Sequence, residues 1–174
     1  MKMKCYLGLV FIANTVHALI SIEAQNTTIE YGRTNIDINC VVNGTSLTKV
    51  IAIQMRRSDT DIVAVVMDKG ISWQDRELQN RDGVSVNASI SDVTTSYFRL
   101  VILKSAVRYP SDMGSYRCSL SAHGDKFSLK ASKSPSVFLN ITGFEETVTN
   151  EGCVLIKNVQ DKSCLSLKVC TLFL

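Results

Sequence analysis

The chain has 174 residues, of which 45% are hydrophobic and 20% charged, ordinary values that exclude wholesale disorder. Two prolines and nine glycines exclude collagen-like or low-complexity architecture, and a net charge of +3 without a long Lys/Arg run makes nucleic acid a poor partner. Two histidines leave little material for zinc or acid–base chemistry, so composition points to a small globular binding module that needs no cofactor.

The first residues read as an export leader. Lys2 and Lys4 give it a positive start, and Tyr6 to Ile20 is largely apolar. Small residues offer two cleavage frames, Val16-His17-Ala18 and Ile22-Glu23-Ala24, and the expected signal peptide covers 1–24. The run is short of the ~20 residues that span a bilayer, and Asn14 and His17 interrupt it, so no membrane span is expected after cleavage. Of the six cysteines, Cys5 leaves with the leader, and an exported chain permits disulfides among Cys40, Cys118, Cys153, Cys164 and Cys170. Four Asn-x-Ser/Thr sequons, at Asn26, Asn43, Asn87 and Asn140, are glycosylation candidates in such a chain.

Between Gln25 and Thr142 short runs alternate every second residue, the signature of half-buried strands. Ile36, Ile38, Cys40 and Val42 share one face. In Lys49 to Arg56, the residues Ile51, Ile53 and Met55 oppose Ala52, Gln54 and Arg56. Ile62 to Met67 is apolar throughout. Val84, Val86 and Ala88 are in phase within Gly83 to Ile90, and Phe98, Leu100 and Ile102 point inward from Tyr97 to Leu103. Tyr116, Cys118 and Leu120 line one face of Gly114 to Leu120, and Phe127 to Ala131 and Val137 to Ile141 complete the set. Seven or more such strands separated by turn formers predict an all-β sandwich or barrel. Cys40 and Cys118, on inward faces of separate strands, would meet across its core.

The segment Asp112-Met113-Gly114-Ser115-Tyr116-Arg117-Cys118 resembles the D-x-G-x-Y-x-C motif leading into strand F of immunoglobulin domains. That resemblance implies a variable-type, two-sheet antiparallel Greek-key sandwich over 25–142, the long interval between the cysteines leaving room for the extra C′ and C″ strands. It implies a tyrosine corner of Tyr116, Asp112 and Gly114, a salt bridge from Asp112 to Arg81, and a Cys40–Cys118 disulfide. The family's strand-C tryptophan is missing. Ile53 fills its place, and the only tryptophan, Trp73, is expected at an edge. Asp75 to Arg81, with Ser96-Tyr97-Phe98-Arg99-Leu100, more distantly resembles the immunoglobulin domains of secreted invertebrate defence lectins, the fibrinogen-related lectins of snails.

With Ile53 and Cys118 inward, Gln54, Arg56, Arg117, Ser119 and Ser121 share the exposed face of the sheet holding strands C, F and G, a face such domains use for partners. Thr45, Ser46, Ser58, Asp59, His123 and Asp125 fall in expected end loops. His123 has no metal-spaced companions, and no nucleophile, base and orienting group can be placed together, so neither a metal nor an enzyme is expected. Residues 143–174 read as a short irregular tail whose Cys153, Cys164 and Cys170 are available to link chains. The function expected is a secreted recognition module for a protein or glycan, in innate defence or cell recognition. The alternative is an adhesion or structural component acting by self-association or tail disulfides.

Overall fold

The computed structural model describes residues 19–44, 46–58, 60–148, 154–158 and 167–169, those after 144 by their backbone. The leader before residue 19, Thr45, Asp59, Cys153, Cys164 and Cys170 lie outside the described residues.

Two sheets face each other. One has the order β1 (Ile20–Ala24), β3 (Ile36–Val42), β8 (Tyr97–Ile102), β7 (Val84–Ser89). The other runs β2 (Thr28–Glu30), β11 (Val137–Thr142), β9 (Gly114–Gly124), β4 (Leu47–Arg57), β5 (Asp61–Met67), β6 (Gly70–Trp73), with β10 (Leu129–Lys133) pairing the far end of β9. Neighbours are antiparallel except β2 with β11, which run parallel. A short helix, α1 (Arg76–Gln79), links the sheets.

Alternation fills the space between them. Ile36, Ile38 and Cys40 from β3 and Phe98, Leu100 and Ile102 from β8 meet Ile53, Met55, Tyr116, Cys118 and Leu120. Each fully buried large side chain contributes about 1.5–3 kcal/mol of transfer free energy. In β4 the register shifts between Val50 and Ala52, so Val50 is buried while the expected Ile51 is only half-buried. Trp73 lies on β6, the edge strand, and packs its ring partly against the core.

Two expected boundaries differ. Ile20–Ala24, which the sequence reading gives to the leader, is β1, paired with β3 from Ile20–Val42 to Ala24–Ile38. Where an irregular tail is expected, the backbone forms an antiparallel three-stranded sheet of β12 (Phe144–Val148), β13 (Val154–Asn158) and β14 (Leu167–Val169). Its middle strand, Val154-Leu155-Ile156, has the branched composition strands favour. Phe144 packs its ring against Tyr31 and Tyr109, at 4.6 and 4.5 Å between centroids.

On the outer surface of the first sheet, Arg99 donates from Nε and Nη2 to both carboxylate oxygens of Asp37, at 2.8 and 2.5 Å. The hydrogen bond from Arg99, aided by its charge and opposed by burial, lowers the Asp37 pKa below the usual carboxylate value. A depressed folded pKa contributes stability above the ordinary carboxylate pKa, and that contribution is lost as pH falls through the folded value. Because Arg99 is 53% exposed, solvent holds the gain to about 1 kcal/mol or less. Asp37→Asn is therefore expected to lower the melting temperature slightly at neutral pH. The gap to wild type should close as pH falls below about 4, read by thermal melts across pH.

Candidate recognition face and the corner behind it

β9 presents Tyr116, Cys118, Leu120 and Ala122 to the core and Arg117, Ser119, Ser121 and His123 to the opposite side. β4 lies beside it in a register that pairs Gln54 with Ser119, Arg56 with Arg117 and Ala52 with Ser121. All five residues expected on this face are therefore brought into one patch, each half-buried. Arg56 Nη2 donates to Gln54 Oε1 at 3.4 Å. Directly opposed residues place their Cβ atoms about 5 Å apart, so two guanidinium groups rise from neighbouring strands. Lys133, paired with Ser119 from β10, adds a third cation that sequence reasoning missed. Alternation beyond Ala131 puts Lys133 in phase with the apolar Leu129 and Ala131, and only the pairing with β9 shows that this column faces outward.

His123 is not a turn residue. β9 runs on to Gly124 because Leu47 and Lys49 keep pairing with it, so His123 stands in the same outward column as Arg117, Ser119 and Ser121. Among the described residues, neither its Nδ1 nor Ser119 Oγ, both buried, has a hydrogen-bond partner.

The described end-loop residues lie at two ends of the sheet. Ser46 and Asp125 lie near the Leu47–Gly124 pair at one end of the sheet. Ser58 is at the other end, its N–H donating to the Ser115 carbonyl at 2.7 Å. The turn after β9 also differs from expectation, since Asp125–Phe127 is a 3-10 turn and the following strand begins only at Leu129. Lys126 and Phe127 both sit at positive φ, 56° and 58°, an uncommon conformation for such side chains. Phe127 is 86% exposed there. All four sequon asparagines are exposed: Asn26 before β2, Asn43 after β3, Asn87 on β7 and Asn140 on β11. None is on β4, β5, β9 or β10, the strands that carry the arginine patch.

Behind the face, Cys40 and Cys118 are joined by a disulfide, with Cα atoms 5.9 Å apart. Tyr116 donates its hydroxyl to the Asp112 carbonyl at 3.0 Å. Burial, reinforced by the Asp112 charge, raises the Tyr116 pKa far above the ordinary phenol value. Gly114 has φ +141°, a backbone conformation a side chain would strain even though the space beside it is open. The Asp112 carboxylate is fully buried and accepts from Arg81 Nη1 at 2.6 Å and from the Arg108 N–H at 2.8 Å. Arg57 Nη1 stands 3.7 Å from its other oxygen and ties it to Asp75, the N-cap of α1, at 2.8 Å. Arg57 and Asp75 were not foreseen as members of this cluster.

No family model matches the chain, and no curated protein does. Solved structures do. Murine CRIg superposes with a TM-score of 0.52 at 11% identity, covering 71% of this chain and 98% of CRIg. A chain from the structure explaining T cell specificity and activation by the bacterial superantigen toxic shock syndrome toxin-1 superposes at 0.50 with 16% identity, covering 72% of this chain and 99% of its own. At such identity the likeness establishes the fold, a variable-type immunoglobulin-like sandwich.

Proposed function

We propose that the chain is an extracellular recognition module that binds an acidic protein or glycan through the outward face of β4 and β9. The observation that carries this reading is the paired placement of Arg56 and Arg117, flanked by Gln54, Ser119, Ser121 and Lys133. Forked guanidinium groups suit carboxylates and sulfates, which accept two parallel N–H donors. Asn26, Asn43 and Asn87 sit away from this sheet's outward face, whereas Asn140 stands on it at the β11 edge, beyond the Leu139–Gly114 pair, so a glycan there would border the patch. The disulfide supports an oxidising, extracellular setting, and innate defence or cell recognition are the roles the sequence resemblances imply. Among the described residues no helix is long and apolar enough to cross a membrane.

The test is binding of the purified chain to extracellular fluid and to an array of sulfated, sialylated and neutral glycans. The double variant Arg56→Ala with Arg117→Ala is expected to lose about tenfold or more in affinity for whatever the wild type retains, while still melting cooperatively as a folded domain. Equal binding by the variant rejects the face.

A further inference from the structure

The leader offers two cleavage frames, and the fold distinguishes them. β1 is the edge strand that closes the first sheet over β3 through five paired residues, from Ile20–Val42 to Ala24–Ile38. Ile20 has no exposed surface, and Leu19, Ile22 and Ala24 pack against the same core. Leu19 itself is held, its carbonyl accepting from the Asn43 N–H at 2.9 Å, and Asn43 Nδ2 donates to Ser21 Oγ at 2.9 Å. A cut after Ala24 removes every one of these contacts. It would also open a cavity where Ile20 sat and leave the β3 edge unpaired along its length.

A cut after Ala18 removes none of them. It satisfies the small-residue requirement with Ala18 next to the scissile bond and Val16 two residues before it. It also leaves Tyr6 to Val16 as the leader's apolar stretch, about ten residues long and within the range export leaders use. We propose that the leader is removed between Ala18 and Leu19, so that the exported chain begins at Leu19 and its first residues are the edge strand of the sandwich. This rests on the export reading above. In this light Ile20 and Ile22 are core residues of the folded domain, placed directly after a leader that is apolar for a different reason.

The experiment expresses the full chain in a secreting cell and determines the first residue of the product in the medium by N-terminal sequencing. The expected start is Leu-Ile-Ser-Ile. A product in the medium starting Gln-Asn-Thr overturns the proposal and leaves export standing. A chain that keeps Met1 and stays with the cells overturns the export reading and the proposal together. Ala18→Arg is expected to stop processing, whereas Ala24→Arg leaves the cut where it was. The opposite pattern also overturns the proposal. As an independent check on the structural premise, a foreign leader is joined directly before Leu19 or directly before Gln25. The Gln25 form is expected to reach the medium in yield lower by about fivefold or more. Equal yield and equal melting temperature would show that β1 is dispensable and remove the reason for the assignment.

Discussion

Replacing Cys40 and Cys118 together with alanine will lower the stability of the domain by about 4–5 kcal/mol. The two cysteines are 78 residues apart, so the disulfide closes a long loop and restricts the unfolded chain strongly. It joins β3 to β9, the centres of the two sheets, with both sulfur-bearing residues free of solvent contact. Domains of ordinary stability have about 5–15 kcal/mol in total, so the loss takes about a quarter or more of it. The single tryptophan, Trp73, packs partly on the core and reports the unfolding by its fluorescence. A guanidinium titration of the double variant is expected to show an earlier midpoint, matched by wild type unfolded under reducing conditions. A loss below about 1 kcal/mol would mean that the unfolded chain is already compact, and that the packing around the two side chains carries the stability alone.

Alternation made most of this sandwich readable, because a sheet buried on one face writes its period into the sequence. β3, β8 and β9 are examples, each with every second residue buried. Where a segment satisfies two demands at once, the pattern loses that meaning. Ile20 and Ile22 follow the leader's apolar stretch with only His17 and Ala18 between, so composition hardly separates a segment bound for a membrane from one bound for a core. The β4 register shift is a second case. It puts Val50 rather than Ile51 inside, and a single extra residue in an apolar run leaves no mark on which neighbour turns inward. β6 is the third: Gly70-Ile71-Ser72-Trp73 is too short to show a period and gains its identity from pairing with β5.

The recognition face was legible for a related reason. Once Cys118 is inward, parity alone sends Arg117 and Ser119 outward, and the β4 register then decides that Arg56 stands opposite Arg117 rather than beside another residue. Parity also predicts His123 on that face, but Gly124 and Asp125 read as turn formers and hid the length of β9. Only the cross-strand pairing of Leu47 and Lys49 extends the ladder that far. The corner was legible in part. Arg81 and Asp112 follow from the motif, whereas Arg57 looks like one more exposed residue at a strand end. Its side chain is only 22% exposed because it reaches over the end of β4 to Asp75 and Asp112.

That corner is where one side chain removed should cost most after the disulfide. Asp112→Ala leaves Arg81, whose side chain is 5% exposed, without its 2.6 Å partner and with only the Ala106 carbonyl and the exposed Glu77 nearby. It also deprives the Arg108 N–H of its acceptor. Breaking a buried pair by deleting one member costs about 3–5 kcal/mol, because a charge stays buried without compensation. The pair itself contributes much less, since both ions had to be dehydrated to form it. Replacing both members at once, Arg81→Met with Asp112→Leu, is therefore expected to recover at least half of what Asp112→Ala loses, measured by the same tryptophan-detected titration. Arg57 remains held by Asp75 in both variants, so the comparison isolates the Arg81–Asp112 contact. If the double replacement is as unstable as the single one, the ion pair is a net source of stability. The tyrosine corner would then depend on its charge rather than only on the absence of a stranded cation.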